Sequence, residues 1–345
     1  MSIPEFRDGH LSKQGHIKCT LNNKKTYTKM EKPYVVGIDI GGTNTVFGIV
    51  DARGNVISKG AIKTNTHNDI HLYMEELYNN LSILIEETGG IDKIKGIGVG
   101  APNANYYTGN IEHAANLAWK GIVPFRNIIS DKFNLPAAIT NDANAAAVGE
   151  MTYGAARGMK NFIMLTLGTG VGSGIVIDGK IVYGHDGFAG ELGHTTAIRH
   201  NGRLCGCGRY GCLETYTSAT GVARSAREYL EMSKEPSLLR NLSEITSKDV
   251  YEAAIQGDPA AKKIFEYTGK ILGESIADFV AFSSPEAIVL FGGLTKSGHL
   301  LIDPLVENME KNLFPIWKGK IKVLTSELKE ADAAILGASA LAWEI

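Results

Sequence analysis

A chain of 345 residues is too long for one ordinary core and fits two domains or lobes. Its 44% hydrophobic and 21% charged content describes a globular protein of the aqueous phase, and a net charge of -2 gives nucleic acid or an anionic membrane no electrostatic hold. No apolar run approaches the roughly 20 residues that span a bilayer, nothing near the N-terminus resembles a signal peptide, and with only 4 cysteines a reducing cytoplasm is the expected compartment.

Residues 1–33 are polar and basic, with Arg7, Lys13, Lys18, Lys24, Lys25, Lys29 and Lys32 outweighing Glu5, Asp8 and Glu31. They predict a loosely docked tail, too short for a helix-turn-helix. Tyr34 to Ile40 is a nearly continuous apolar run, the pattern of a strand buried on both faces. It breaks at Gly41 to Thr45. A second strand is predicted over Val46 to Val50, a turn over Asp51 to Asn55, and a third strand after it. Between residues 69 and 88, Ile70, Leu72, Met74, Leu77, Leu81, Leu84 and Ile85 recur mostly at three or four, an amphipathic helix closed by Gly89 and Gly90. Gly96 to Pro102 is a further strand running into a tight loop, and Ile139 to Glu150 passes from strand to alanine-rich helix.

The opening pattern then returns. Asn161 to Leu167 is an apolar strand, Gly168 to Gly174 a glycine turn, and short strands follow on either side of an Asp-Gly-Lys turn. Two copies of one unit about 130 residues apart predict a duplicated domain. Asp258 and Pro259 supply an N-cap and first-turn proline for a helix to about Phe282. A buried strand, Ala287 to Phe291, ends in Gly292-Gly293; a strand at Ile321 to Thr325 and a helix from Asp332 to Trp343 complete an α/β pattern.

Glycines at alternate positions in 168–174 suggest a dinucleotide fingerprint, but that fingerprint must open a helix, and here a β-hairpin follows. Glycine hairpins with threonine hydroxyls can wrap phosphates with backbone N–H groups instead, and two facing each other across a cleft would hold a triphosphate from both sides. Asp39, the last polar residue before the first turn, is placed to hold a water of hydrated magnesium. Asn141 or Asp142 stands at a helix N-cap. A carboxylate there, aimed into a cleft, can act as general base toward a sugar hydroxyl, and Asn141 offers both donor and acceptor beside it.

Three of the cysteines fall within eight residues. His194, Cys205, Cys207 and Cys212 form a closed Cys3His set, which favours a structural tetrahedral zinc over a catalytic one. Glu191 and Glu214 bracket the set, so a bound ion would fix two carboxylates suited to a polyhydroxylated ligand.

These stretches resemble one family. D-I-G-G-T-N-T, G-V-G-A-P, N-D-A-N-A-A-A, L-T-L-G-T-G-V-G-S-G, A-G-E-L-G-H and C-G-C-G-R-Y-G-C-L-E match the ROK sugar kinases, and Phe291 to Leu294 resembles that family's adenosine-side glycine motif. The resemblance implies a two-lobed actin-like ATPase (ribonuclease H-like) α/β fold with duplicated βββαβα-type domains, a small lobe at 34–140 plus 330–345 and a large lobe at 141–329 carrying the zinc loop. It implies ATP-dependent phosphorylation of a hexose 6-hydroxyl, glucose first and mannose or N-acetylglucosamine next, with Asp142 as base. Sugar would be held by Gly100, Asn141, Asp142, Glu191, His194 and Glu214. ATP and Mg2+ would be held by Asp39, Gly41, Gly42, Thr43, Asn44, Gly168, Thr169, Gly170, Gly292 and Gly293, and zinc by His194 and the three cysteines. A homodimer or dimer of dimers is implied, without nucleic acid or membrane partners. Two departures stand out: many members have lysine where Asn44 stands, and family repressors carry a much longer DNA-binding N-terminus. The alternatives are a sugar-responsive regulator, or a fructokinase or N-acetylmannosamine kinase.

Overall fold

The computed structural model describes residues 32–329 and 332–345, so nearly all of the predicted basic tail lies outside the described residues. The first half runs β1 (Tyr34–Ile40), β2 (Asn44–Asp51), β3 (Val56–Lys63), α1 (Ile70–Glu87), β4 (Ile94–Gly100), β5 (Ile111–Glu112), β6 (Ile122–Val123), α2 (Phe125–Phe133), β7 (Ala137–Thr140) and α3 (Asp142–Tyr153). The second runs β8 (Phe162–Leu167), β9 (Val171–Ile177), β10 (Lys180–Ile181), α4 (Glu214–Thr217), α5 (Ala219–Met232), α6 (Ser247–Ile255), α7 (Pro259–Ser283), β11 (Ala287–Phe291), α8 (His299–Asn312), β12 (Lys322–Thr325) and α9 (Ala333–Leu341). The sheet orders are β3-β2-β1-β4-β7 and β10-β9-β8-β11-β12. Each is an antiparallel meander of three strands extended by two parallel ones, so the duplication read from the glycine turns extends to whole sheets.

Burial explains the layering. On one face of the first sheet, α1 presents Tyr73, Met74, Leu77, Leu81 and Ile85 to the core, each stabilising by roughly 1.5–3 kcal/mol. Leu72, counted in the predicted stripe, is exposed instead. Tyr73 takes its place because its ring packs beside Trp119 while its hydroxyl shares a 2.8 Å hydrogen bond with Thr45. The long α7 covers the corresponding face of the second sheet. Between the sheets lie α3 and α9, each following a strand of one half and packing on the sheet of the other. Gly37 of β1 and Gly98 of β4 are register partners beneath α9. A Cβ on Gly98 would stand 1.9 Å from the Ala338 carbonyl oxygen, so only glycine admits the helix. Where α3 meets α9, a Cβ on Gly149 would lie 2.7 Å from Gly337 Cα.

Several predicted bounds shift. β2 begins at Asn44 rather than Val46, and β9 begins at Val171, which leaves Gly168–Gly170 as the second turn and puts Gly172 and Gly174 inside a strand. Those glycines face α3, where a Cβ on Gly174 would come within 2.7 Å of Ala147 Cβ; they are there for packing and not for turning. The strand predicted after Asp178-Gly179 shrinks to Lys180–Ile181, and the closing helix stops at Leu341. Among the described residues no helix is long and apolar enough to cross a membrane.

Candidate active site

The β1–β2 turn and strand β8 face a cleft of about 340 Å3, lined among others by Asp39, Gly41, Gly42, Asn116, Asp142 and Thr166. Chain geometry positions each group. β1 ends by carrying Asp39 to the cleft, and β4 beside it ends at Gly100 in register with Asp39. A Cβ on Gly100 would stand 3.2 Å from Asp39 Oδ1 and 3.8 Å from Asp142 Cα, so that glycine lets the two acids converge. Asn141 is the N-cap of α3, its Oδ1 accepting from Asn144 N at 2.7 Å, and capping leaves its Nδ2 for a ligand. Asp142 is therefore the first helical residue, at the positive end of the helix dipole.

The electrostatics follow from crowding of acids in a concave site. Burial pushes the Asp39 carboxyl up to about 7, and the neighbouring Asp142 charge adds to the shift. Asp142 is open to the cleft yet surrounded by protein elsewhere, and that burial raises its carboxyl above the usual range; the Ala143 N–H, donating to Oδ1 at 2.8 Å, opposes the rise. Glu191 is raised by burial, with His194 lowering it and Asp142 and Glu214 raising it further. Glu191 thus feels the charge of Asp142 and of Glu214, residues that stand 72 positions apart in sequence.

The metal loop is assembled from two hairpin-like returns. Leu213 N donates to Thr195 O at 2.9 Å, Cys205 N to Arg209 O at 2.9 Å, and Thr196 bridges Cys212. Gly211 has φ +80°, and a Cβ there would lie 1.9 Å from Ile198 O, so the return requires glycine on both counts. Cys205 Sγ stands 3.7 Å from His194 Nδ1 and Cys207 Sγ 3.6 Å from Cys212 Sγ, with all four donor atoms within 4.8 Å of one another. A tetrahedral zinc with Zn–S of about 2.3 Å and Zn–N of about 2.0–2.1 Å spaces its ligands by roughly 3.5–3.8 Å. The donor set therefore fits zinc with little movement, and its four ligands leave no open position. Nδ1 faces the sulfurs, which leaves His194 Nε2 for another partner.

Glu214 opens α4 directly after this loop and ties it to the second hairpin. Its Oε2 accepts from Val171 N at 3.4 Å, and a Cβ on Gly170 would lie only 2.7 Å from that oxygen. The tip of the turn is held from the same side: Ala219 N donates to Gly168 O at 2.8 Å and Thr220 Oγ1 to Thr169 O at 2.8 Å. Gly292, at the end of β11, packs against the Leu167 carbonyl, which brings Gly292-Gly293 beside the same hairpin. In the first turn Thr43 O accepts from Thr64 N at 3.0 Å and Asn44 Oδ1 from Lys63 Nζ at 2.9 Å.

Sequence reasoning missed three contributors. Thr166 occupies in the second copy the station Asp39 holds in the first, two residues before the turn's first glycine, and the internal repeat carried that signal. Asn65 Nδ2 donates to Gly42 O at 2.6 Å and lies in no recognisable motif. Arg203 is only 8% exposed and anchors the metal loop from beneath. It donates to Thr215 O at 2.6 Å, Ser225 Oγ at 2.9 Å and Glu228 Oε2 at 2.6 Å, and stacks 4.4 Å from the Tyr216 ring centre.

Comparison with known proteins gives this geometry its context. The glucokinase of Halalkalibacterium halodurans is 38% identical over 294 residues, spanning 83% of this chain and 88% of its own. A solved ROK family glucokinase from Streptomyces griseus, in complex with glucose and AMPPNP, superposes with a TM-score of 0.73 at 31% identity, covering 90% of this chain and all of that one. The xylose repressor of Caldicellulosiruptor bescii is 29% identical over 97% of this chain and 85% of its own length. The fold is the actin-like ATPase fold of the ROK kinases, as the sequence predicts. The ROK family profile matches residues 35–345, and the chain belongs to the ROK family.

Proposed function

We propose that the chain, a sugar kinase of the ROK family, transfers the terminal phosphoryl group of ATP to the 6-hydroxyl of a hexose, glucose first and mannose or N-acetylglucosamine next. The observation that carries the reading is Asp142, a carboxylate with raised proton affinity at a helix N-terminus in the cleft that the first glycine turn and strand β8 line. A general base is most effective when its pKa lies near the working pH. Asp142 takes the hydroxyl proton as the sugar oxygen bonds to the terminal phosphorus; the bond to the bridging oxygen breaks and ADP leaves. Gly41–Asn44 and Gly168–Gly170 offer backbone donors to the phosphates, and Gly292-Gly293 borders the adenosine. Asp39 would hold Mg2+ through water, and that ion supplies charge neutralisation on the phosphate oxygens. The convergence of Asp39 on Asp142 fits a cation, because two such carboxylates ionise together more readily beside one.

Asn141, Asp142, Glu191, His194 and Glu214 bind the sugar hydroxyls, with Gly100 keeping the floor open. A structural zinc on His194, Cys205, Cys207 and Cys212 keeps Glu214 in place. The packing of α9 on the first sheet supports a small lobe of 34–140 plus 330–345, closing on a large lobe of 141–329. A cytoplasmic homodimer or dimer of dimers completes the reading. The glucokinase relatives support the sugar-kinase part of this reading.

An ATP-coupled screen across glucose, mannose, fructose and the N-acetylhexosamines tests it. Turnover on glucose is expected; turnover on fructose or N-acetylmannosamine alone moves the assignment to those kinases. The xylose repressor relative favours a second reading, a sugar-responsive regulator. A gel shift on operator DNA combined with no kinase activity on any sugar would establish it instead.

A further inference from the structure

A cleft that is to receive a triphosphate faces it with Asp39 and Asp142, and among the described residues its lining includes no lysine or arginine. Backbone N–H groups of a glycine turn offer dipoles but no net charge. A cation stands at the rim, on the outer strand. Asn44 and Lys63 are register partners in the β2–β3 ladder, and Lys63 Nζ donates to Asn44 Oδ1 at 2.9 Å. β1 and β3 both run antiparallel to β2, so Lys63, last residue of β3, lies at the end of the sheet where β1 delivers the glycine turn. The segment just after Lys63 is bonded to that turn: Thr64 N donates to Thr43 O at 3.0 Å and Asn65 Nδ2 to Gly42 O at 2.6 Å.

The face is the right one too. Side chains alternate along a strand, so Lys59 and Lys63 project from the same side of β3. Lys59 Nζ meets Asp332 Oδ1 at 2.6 Å, at the N-cap of α9, whose first two residues, Ala333 and Ala334, line the cleft. Lys63 continues that row toward the mouth. Its ammonium has three donors; Asn44 engages one, and the exposed position costs no desolvation.

We propose that Lys63 is a phosphate-binding residue of the first hairpin: its ammonium, steadied by Asn44, bonds the terminal phosphate oxygens of the nucleotide seated on Gly41–Thr43. This rests on the kinase reading above. A lysine that merely decorates the surface would leave nucleotide affinity alone, since an exposed polar pair contributes little to the fold.

Calorimetric titration of Mg-ATP and of AMP into the full chain separates the two. Lys63→Met is expected to weaken ATP by about 10- to 100-fold, the loss of a charge-assisted bond to phosphate, with AMP within about twofold of wild type. Lys63→Arg keeps most of the ATP affinity. The double variant N44K/K63M, which returns the ammonium from the opposite member of the same ladder pair, recovers it. Melting temperatures stay level throughout. ATP binding by Lys63→Met within about twofold of wild type overturns the proposal, as does equal weakening of ATP and AMP. Wild-type protein that binds ATP but phosphorylates no sugar sinks the kinase reading alone, and the ATP-to-AMP contrast still decides Lys63. Wild-type protein that binds no adenine nucleotide overturns both.

Discussion

Two residues before its first glycine the β1–β2 hairpin carries Asp39, and at the same station the β8–β9 hairpin carries Thr166. Both line the cleft. Asp39 is an acid whose carboxyl is pushed up to about 7 by burial and by Asp142, whereas Thr166 is spent on its own hairpin, its Oγ1 accepting from Gly172 N at 3.1 Å. The turns differ in the same sense. The first is laced to a neighbouring strand that ends in Lys63; the second is held by Glu214, Ala219 and Thr220, which follow the metal loop. The two frames share one strand order. On the function proposed above, one carries charge for the phosphates and the other a mechanical link to the loop expected to read the sugar.

Substitutions can break that contrast in graded steps. Asp142→Asn, between the frames, is expected to lower sugar-dependent ADP formation by about 10²- to 10⁴-fold while sugar affinity by calorimetry stays within a few-fold; near-normal turnover would remove Asp142 from the role of base. Asp39→Asn comes next, with a loss of about 10²-fold in kcat and a distinct pH signature. In chelator, the Asp39 pKa is about 7 in the fold against 3.8 ordinarily, so the folded state binds the extra proton. Its contribution to stability is complete below about 3.8 and is lost as pH rises through about 7. Melting curves of the apo protein should therefore decline across that window, and Asp39→Asn should flatten them. An unchanged slope would mean Asp39 is not buried as an acid.

The second frame should respond differently. Elemental analysis of the wild-type protein is expected to show one zinc per chain; Cys212→Ala should abolish it and raise the sugar KM by about tenfold, the loss of one positioned charged hydrogen bond, with ATP KM little changed. Equal effects on both substrates would deny the division of labour. The smallest effect belongs to Thr166→Ala: about 1 kcal/mol of stability and a turnover within about threefold of wild type. A loss rivalling that of Asp39→Asn would show the two stations to be chemically equivalent after all.

Much of this was legible in the chain because the deciding physics is local. The run Tyr34–Ile40 had to be a strand buried on both faces, and Asn141-Asp142 had to begin a helix, since a short polar side chain there satisfies free N–H groups. The four donors of the metal loop lie within 19 residues. What stayed hidden depends on distant segments. Glycines in 168–174 look like turn formers; that Gly172 and Gly174 instead make room for α3 depends on a helix that precedes them. Nothing near Arg203 in sequence announces a buried guanidinium, because its partners come from two helices after the metal loop. Lys63 reads as one more polar residue until strand register sets it opposite Asn44.

The meeting of Gly149 with Gly337 has a consequence for how such a molecule could move. Each of the two central helices belongs to one half by chain and to the other by packing, so both connections between the halves pass this point. Helices usually lock through ridges of side chains set into grooves. Here the contact is backbone on backbone, with no side chain at the closest approach. A single methyl added at either glycine would have to push α3 from α9, so the seam that any relative turning of the halves must pass through admits no side chain.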